Sequence, residues 1–281
     1  MTTQRPETPP RHQPTCGVRQ IDALQPLQWI RLGWSDMLRC GWLSVAHGAA
    51  LAVFGAALFG VAHHKFWLLA GAFSGFLFVA PVLAASLYAM SRALEQGAPS
   101  DLALLRNTWI NWRRSRFVDR GGYWCLVRFG VLLALAGTGW VLTSAALITL
   151  LAPAPVNTPL DFLRHVVLGR NHYLFEIWLS MGGVLAAPIF ASSVVSMPLL
   201  LDRRVNLLEA VLTSWRVVLA NPIPMAVWSG LIMLLVLSGF ATLLLALVVV
   251  VPLLGHASWH AYRDLVDASA LPRRADIEES V

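Results

Sequence analysis

The sequence predicts an all-α membrane protein: a polytopic bundle of six transmembrane helices in three hairpins, with amphipathic helices lying in the interface. Three observations carry this. Hydrophobic residues make up 57% of the chain and charged residues 13%, about half the charge of an ordinary soluble domain. From Met225 to Trp259 the chain runs 35 residues without an Asp, Glu, Lys or Arg. As one straight helix that run would be roughly 52 Å long, against a hydrocarbon core of about 30 Å. It must fold back, and Ser238-Gly239 is the break nearest its middle, giving Pro222–Leu237 outward and Phe240–Tyr262 in return. Finally, the 21 basic residues, 20 of them Arg, cluster between the apolar runs.

The elements follow in order. Residues 1–20 hold four prolines and no apolar run, which predicts a disordered tail and no cleavable signal. In Leu27–Leu38, the residues Leu27, Ile30, Trp34 and Leu38 recur at helical steps and make one apolar face. Trp42–Ala62 and Phe66–Met90 read as the first two spans, separated by His63-His64-Lys65. Leu126–Leu151 is the third. Leu174–Leu201 is the fourth and carries Pro188 and Pro198; Ser192, Ser193 and Ser196 stand where they could satisfy carbonyls the prolines free. The membrane domain covers 21–266, and 267–281 reads as a second disordered tail.

The net charge of +6 would suit nucleic acid, but its placement points to a bilayer. Counting Lys and Arg by segment puts 18 on the side of both termini and 3 on the other. The excess of basic residues marks the cytoplasmic side, so both termini are expected there, in a bacterial inner membrane, with Ala152–His172 as the sizeable outer loop. Cys16, Cys40 and Cys125 share no metal-ligand spacing and read as free thiols of a reducing compartment.

Internal repetition organises the whole. Leucine precedes tryptophan by seven residues in Leu27-QWIRLG-Trp34, Leu102-ALLRNT-Trp109 and Leu208-EAVLTS-Trp215. Each segment precedes a pair of spans. The exits of the first and third pairs also align, Val79–Leu94 with Val250–Leu265, matching Pro81 to Pro252 and Arg92 to Arg263.

Two groups of residues could carry chemistry. In Asp101–Val118, Leu102, Leu105, Trp109 and Trp112 share a face flanked by Arg106, Arg113, Arg114 and Arg116, which suits anchoring at phospholipid headgroups. His47 and His256 fall inside spans at similar depth, with His260 a turn beyond, and Asp36, Arg92 and Arg263 are near the same boundary. A ring N–H facing lipid costs a few kcal/mol, so a polar cluster where the first and third hairpins meet is one expectation. The plainer alternative is that each histidine bonds a nearby backbone carbonyl. Glu176 opens the fourth span, but no chain of mid-membrane acids follows it as proton coupling would require. HExxH, GxSxG, Walker and CxxC patterns are absent, so no catalytic residues, metal or cofactor are expected.

The stretches Ser196–Trp228 (SMPLLLDRRVNLLEAVLTSWRVVLANPIPMAVW), Val250–Val266 and Gln28–Met37 resemble a bacterial family of predicted integral membrane proteins, domain of unknown function 2189. The likeness is most specific at Pro198–Arg203, Asn221-Pro222 and Gly255–Tyr262. The PLLLDRRV–EA–SW pattern is also similar to the membrane domain attached to some glycerophosphoryl diester phosphodiesterases. The first resemblance implies a six-helix inner-membrane protein with no established activity and no catalytic residues to carry over. Some of its members are labelled as cytochrome c oxidase components, which these residues do not independently support.

These readings leave three function classes: a non-enzymatic accessory or scaffold protein with a membrane-protein partner, a small-solute or lipid transporter, and a haem-associated respiratory subunit.

Overall fold

The computed structural model describes residues 16–62, 84–108, 110, 124–169 and 172–273. It is an all-α bundle, as a chain must be when lipid leaves no solvent for unpaired backbone groups. Helix α1 (Gln25–Cys40) opens with Pro26 in its first turn, where the missing N–H costs nothing. It stops at Gly41, whose φ of 59° is open to glycine, and α2 (Trp42–Ala62) leaves at 104° to it. Helix α3 (84–95) and helix α4 (102–108) follow; Asp101 caps α4 by accepting from the Leu104 N–H at 2.8 Å. Helix α5 covers Trp124–Leu151.

The connection after α5, which the sequence reading takes as the outer loop, has local structure in its described residues. Asp161 and Thr158 cap α6 (Pro159–Phe162) reciprocally, and a π-turn over Leu163–Val167 continues it. Val166 is buried with Ile148 and Leu174, against Phe162 and Trp178, so the loop closes the end of the α5–α7 pair. Helix α7 (His172–Ser193) runs into α8 (Ser196–Asp202) across a turn at Val194-Val195. The serines there mend that break: Ser193 donates to the Phe190 carbonyl, and Ser196 to those of Ser192 and Ala210. They do not serve the carbonyls one turn before Pro188 and Pro198.

Helix α9 (Leu207–Ala220) is capped by Asn206 on the Glu209 N–H. Helices α10 (Pro222–Ala241) and α11 (Leu247–Leu265) form the expected hairpin, but its turn lies later than Ser238-Gly239. Helix α10 runs through those residues, and Gly239 packs directly on Leu247. The reversal falls at 242–246, where Leu243 and Leu244 take φ of 53° and 73° and the Thr242 hydroxyl accepts from the Ala246 N–H at 2.9 Å. Left-handed leucines cost about 1–3 kcal/mol each, so sequence favours glycine and misplaces the turn.

Three helical runs are long and apolar enough to cross a membrane: Arg128–Leu151, Tyr173–Asp202 and Pro222–Gly239. The bent pair α1–α2 would add a fourth. Six spans are therefore not reached among the described residues. Residues 66–83 of the expected second span lie outside them. Helix α11, the expected sixth, is not among the long apolar runs, because its last three turns carry His256, His260, Arg263 and Asp264.

Helix α11 is the centre of the fold. Backbones meet almost directly at two glycines: a Cβ on Gly48 would stand 2.1 Å from the Val248 carbonyl oxygen, and one on Gly33 2.7 Å from the Ala257 nitrogen. Only glycine permits that approach to α2 and α1. Trp29 of α1 and Trp228 of α10 pack edge to face at 5.4 Å in the same core. Away from it, α5 and α10 expose Leu132, Leu135, Leu142, Met233, Leu234 and Leu237, the surface that lipid contacts.

The described parts of the expected tails, residues 16–20 and 267–273, are built into the fold. Strand β1 (Gly17–Val18) pairs antiparallel with β2 (Val266–Asp267), and Cys16, Ala268 and Leu271 are buried. Two-residue strands are too short to leave a periodic signal. The pairing brings both ends of the described chain to one face.

Candidate functional site

The last three turns of α11 hold a hub of polar contacts in which four carboxylates are each taken up by donors from other elements. Asp36 of α1 accepts from the Ser91 hydroxyl at 2.7 Å and from His260 Nε2 at 2.9 Å. Ser91 Oγ also lies 2.7 Å from His256 Nδ1, and His256 Nε2 lies 2.6 Å from Ser44 Oγ. Ser44, Ser91 and His256 are almost wholly buried.

The proton positions follow from this geometry. A carboxylate only accepts, so Ser91 spends its one proton on Asp36. The Ser91 oxygen then accepts from His256, placing the imidazole proton on Nδ1. In a neutral ring His256 Nε2 then accepts from the Ser44 hydroxyl. The chain so formed, Ser44 to His256 to Ser91 to Asp36, ties α1, α2, α3 and α11 together. Burial raises the Asp36 pKa, but hydrogen bonds from His260 and Ser91 outweigh it and hold the carboxyl below its ordinary value.

Three more carboxylates complete the hub. Glu95 accepts from Trp259 Nε1 at 3.0 Å and pairs with Arg263 Nη2 at 2.8 Å. Asp202 takes the Tyr262 hydroxyl at 2.8 Å, Arg203 Nε at 2.9 Å and Arg92 Nε at 3.3 Å. Asp264 accepts from Gln25 Nε2 and Trp29 Nε1 at 2.8 and 2.7 Å. Helix α11 supplies a member to all four.

The arginines also link the three repeated units. Arg92, ending the first, reaches Asp202 of the second; Arg203, ending the second, donates to the Leu271 carbonyl of the third; Arg263, ending the third, reaches Glu95 of the first. The ring closes.

Of the cluster residues that the sequence points to, the structure brings together Asp36, His256 and His260. Arg92 and Arg263 sit in the adjoining ion pairs. His47 donates from Nδ1 to the Leu43 carbonyl at 2.7 Å, the local backbone bond that was the plainer alternative. Arg106 is exposed on α4, while Trp109, Trp112, Arg113, Arg114 and Arg116 lie outside the described residues. Leu102 is exposed, and Leu105 packs instead against the buried Cys40, Leu43, Leu87 and Met90.

Sequence reasoning missed Ser44, Ser91, Asp202, Glu95 and Asp264. The acids had a signal, since each stands at one end of a helix or apolar run, but small buried serines had none. It also missed Asn221, which accepts from the Ile21 N–H and donates to the Arg19 carbonyl, both at 3.0 Å. Among the described residues, no three His, Cys, Asp or Glu side chains gather where they could hold a metal ion.

No curated protein and no solved structure matches the chain. The matching family model spans residues 68–202, taking in α3 to α8 and, of the hub, Ser91, Arg92, Glu95 and Asp202. Over that segment, a little under half of the chain, the sequence is similar to the family described as predicted integral membrane protein (DUF2189).

Proposed function

We propose that this chain is a non-enzymatic accessory or scaffold protein of the bacterial inner membrane, with both termini cytoplasmic and another membrane protein as its partner. The observation that carries this reading is the closure of the hub. Its four carboxylates and two histidines are committed to side chains of the same molecule, which makes a rigid joint between helices. Buried networks satisfied in this way fix one arrangement, as a scaffold needs. The pairing of Gly17–Val18 with Val266–Asp267 supports the common side of the termini, as does the basic-residue asymmetry.

Affinity purification of the tagged full chain from its native membrane tests the role. A stable, stoichiometric membrane-protein complex is expected. A chain that purifies alone and moves a solute or lipid when reconstituted in vesicles contradicts it. Transport is the second reading, favoured by the repeats and the broken α7–α8 run. A haem-associated role would show as a Soret band in the purified protein, and the committed imidazoles weigh against it.

A further inference from the structure

Helices α1 and α9 each carry a stripe that their packing leaves uncovered. On α1, Leu27, Trp34 and Leu38 are 49%, 45% and 63% exposed; on α9, Leu208, Trp215 and Leu219 are 68%, 36% and 73% exposed. The spacing is the same in both, i, i+7 and i+11, which gathers each trio within an arc of roughly 40°. The opposite faces are buried: Trp29, Gly33, Asp36 and Met37 on α1, and Ala210, Thr213, Ser214 and Val217 on α9. A third face is polar, with Gln28, Arg31, Ser35 and Arg39 exposed on α1 and Arg216 on α9. Turning the same way about each axis, the order is buried, apolar, polar. The leucine–tryptophan repeat thus marks an exposed apolar stripe on each helix.

We propose that α1 and α9 lie together in one leaflet and select anionic phospholipid. Their leucine–tryptophan stripes enter the acyl layer, and Arg31, Arg39 and Arg216 meet headgroup phosphates. Three observations support that occupant. The 104° bend after α1 lays it near the membrane plane if α2 crosses. Asn221, at the end of α9, holds the segment just before α1 through Ile21 and Arg19, which brings the end of α9 beside the approach to α1. The carboxylates of both helices are drawn inward: Asp36 is buried, and Glu209 is half-buried with Oε1 fully covered. The outward charge is therefore basic and complements an anionic surface. This holds whether the bundle is a scaffold or a conduit.

The test places spin labels on the full chain in vesicles of phosphatidylcholine and phosphatidylglycerol. Labels at Leu27→Cys, Leu38→Cys, Leu208→Cys and Leu219→Cys should be relaxed several-fold more by oxygen than by a water-soluble nickel chelate. Labels at Gln28→Cys, Ser35→Cys and Arg216→Cys should show the reverse. Stripe labels open to nickel, or shielded from both reagents by protein, overturn the proposal. Lipid retained on the purified chain tests selection. Several-fold enrichment of phosphatidylglycerol is expected, falling to the bulk ratio in the combined Arg31→Gln, Arg39→Gln and Arg216→Gln variant. Bulk ratio in the unaltered protein, or enrichment unchanged in that variant, refutes it. Neither readout depends on a co-purifying partner.

Discussion

Asp36 and His260, 224 positions apart in the chain, are joined Oδ2 to Nε2 at 2.9 Å, and this contact fixes the register between the first and last helices. The Asp36 carboxyl is held below its ordinary value of 3.8. A depressed carboxylate stabilises the fold fully above the unfolded value and loses that contribution as pH falls through the native one. Thermal unfolding in detergent should therefore show an acid-side loss confined below about pH 4. Asp36→Asn should flatten it while lowering stability at neutral pH by about 1–3 kcal/mol; an unchanged acid limb would remove Asp36 from the account.

Asp202 and Glu95 make ion pairs of different worth. The Asp202 side chain is 6% exposed and faces Arg92 and Arg203 together, so Asp202→Asn strands buried guanidinium charge. That should cost about 3–5 kcal/mol. Glu95 and Arg263 are 41% and 37% exposed, and Glu95→Gln should cost at most about 1 kcal/mol. Equal losses in denaturant titrations would contradict the ranking.

Backbone contact at α11 makes an equally sharp contrast. Gly48→Ala drives a methyl group into the Val248 carbonyl, where backbone must shift, and should destabilise by about 1–3 kcal/mol. Gly139→Ala, with nothing within 4 Å, should be neutral or gain up to about 1 kcal/mol of helix propensity. Melting temperatures of the two variants decide it.

The orientation has its own check. Alkaline phosphatase fused after Pro155 should be active, and fusions after Gly97 or Arg204 silent. The reverse pattern would invert the proposed topology.

The long apolar helices were legible because they rest on long signals. Trp42–Ala62 is identical to α2, and the α10–α11 hairpin follows from a charge-free run. Shorter signals misled. Ser238-Gly239 looked like a break, yet its glycine serves close packing. For Trp34 periodicity reported an apolar face without saying what it faces, since in a membrane protein lipid and protein are equally apolar. In the hub, His256 and Asp36 stood out as ionisable groups near one boundary. Ser44 and Ser91 did not, since buried serines are ordinary in helix packing and only geometry shows which accept a proton.

The central claim is that the hub is a closed joint whose hydrogen bonds run in one direction, from Ser44 through His256 and Ser91 to Asp36. The side-chain nitrogen spectrum of ¹⁵N-histidine-labelled protein at neutral pH, assigned with His256→Gln, tests it most directly. The account predicts a neutral His256 with its proton on Nδ1 and the signature of an unprotonated nitrogen at Nε2. A proton on Nε2, or a doubly protonated ring, would reverse the chain and contradict the closed joint.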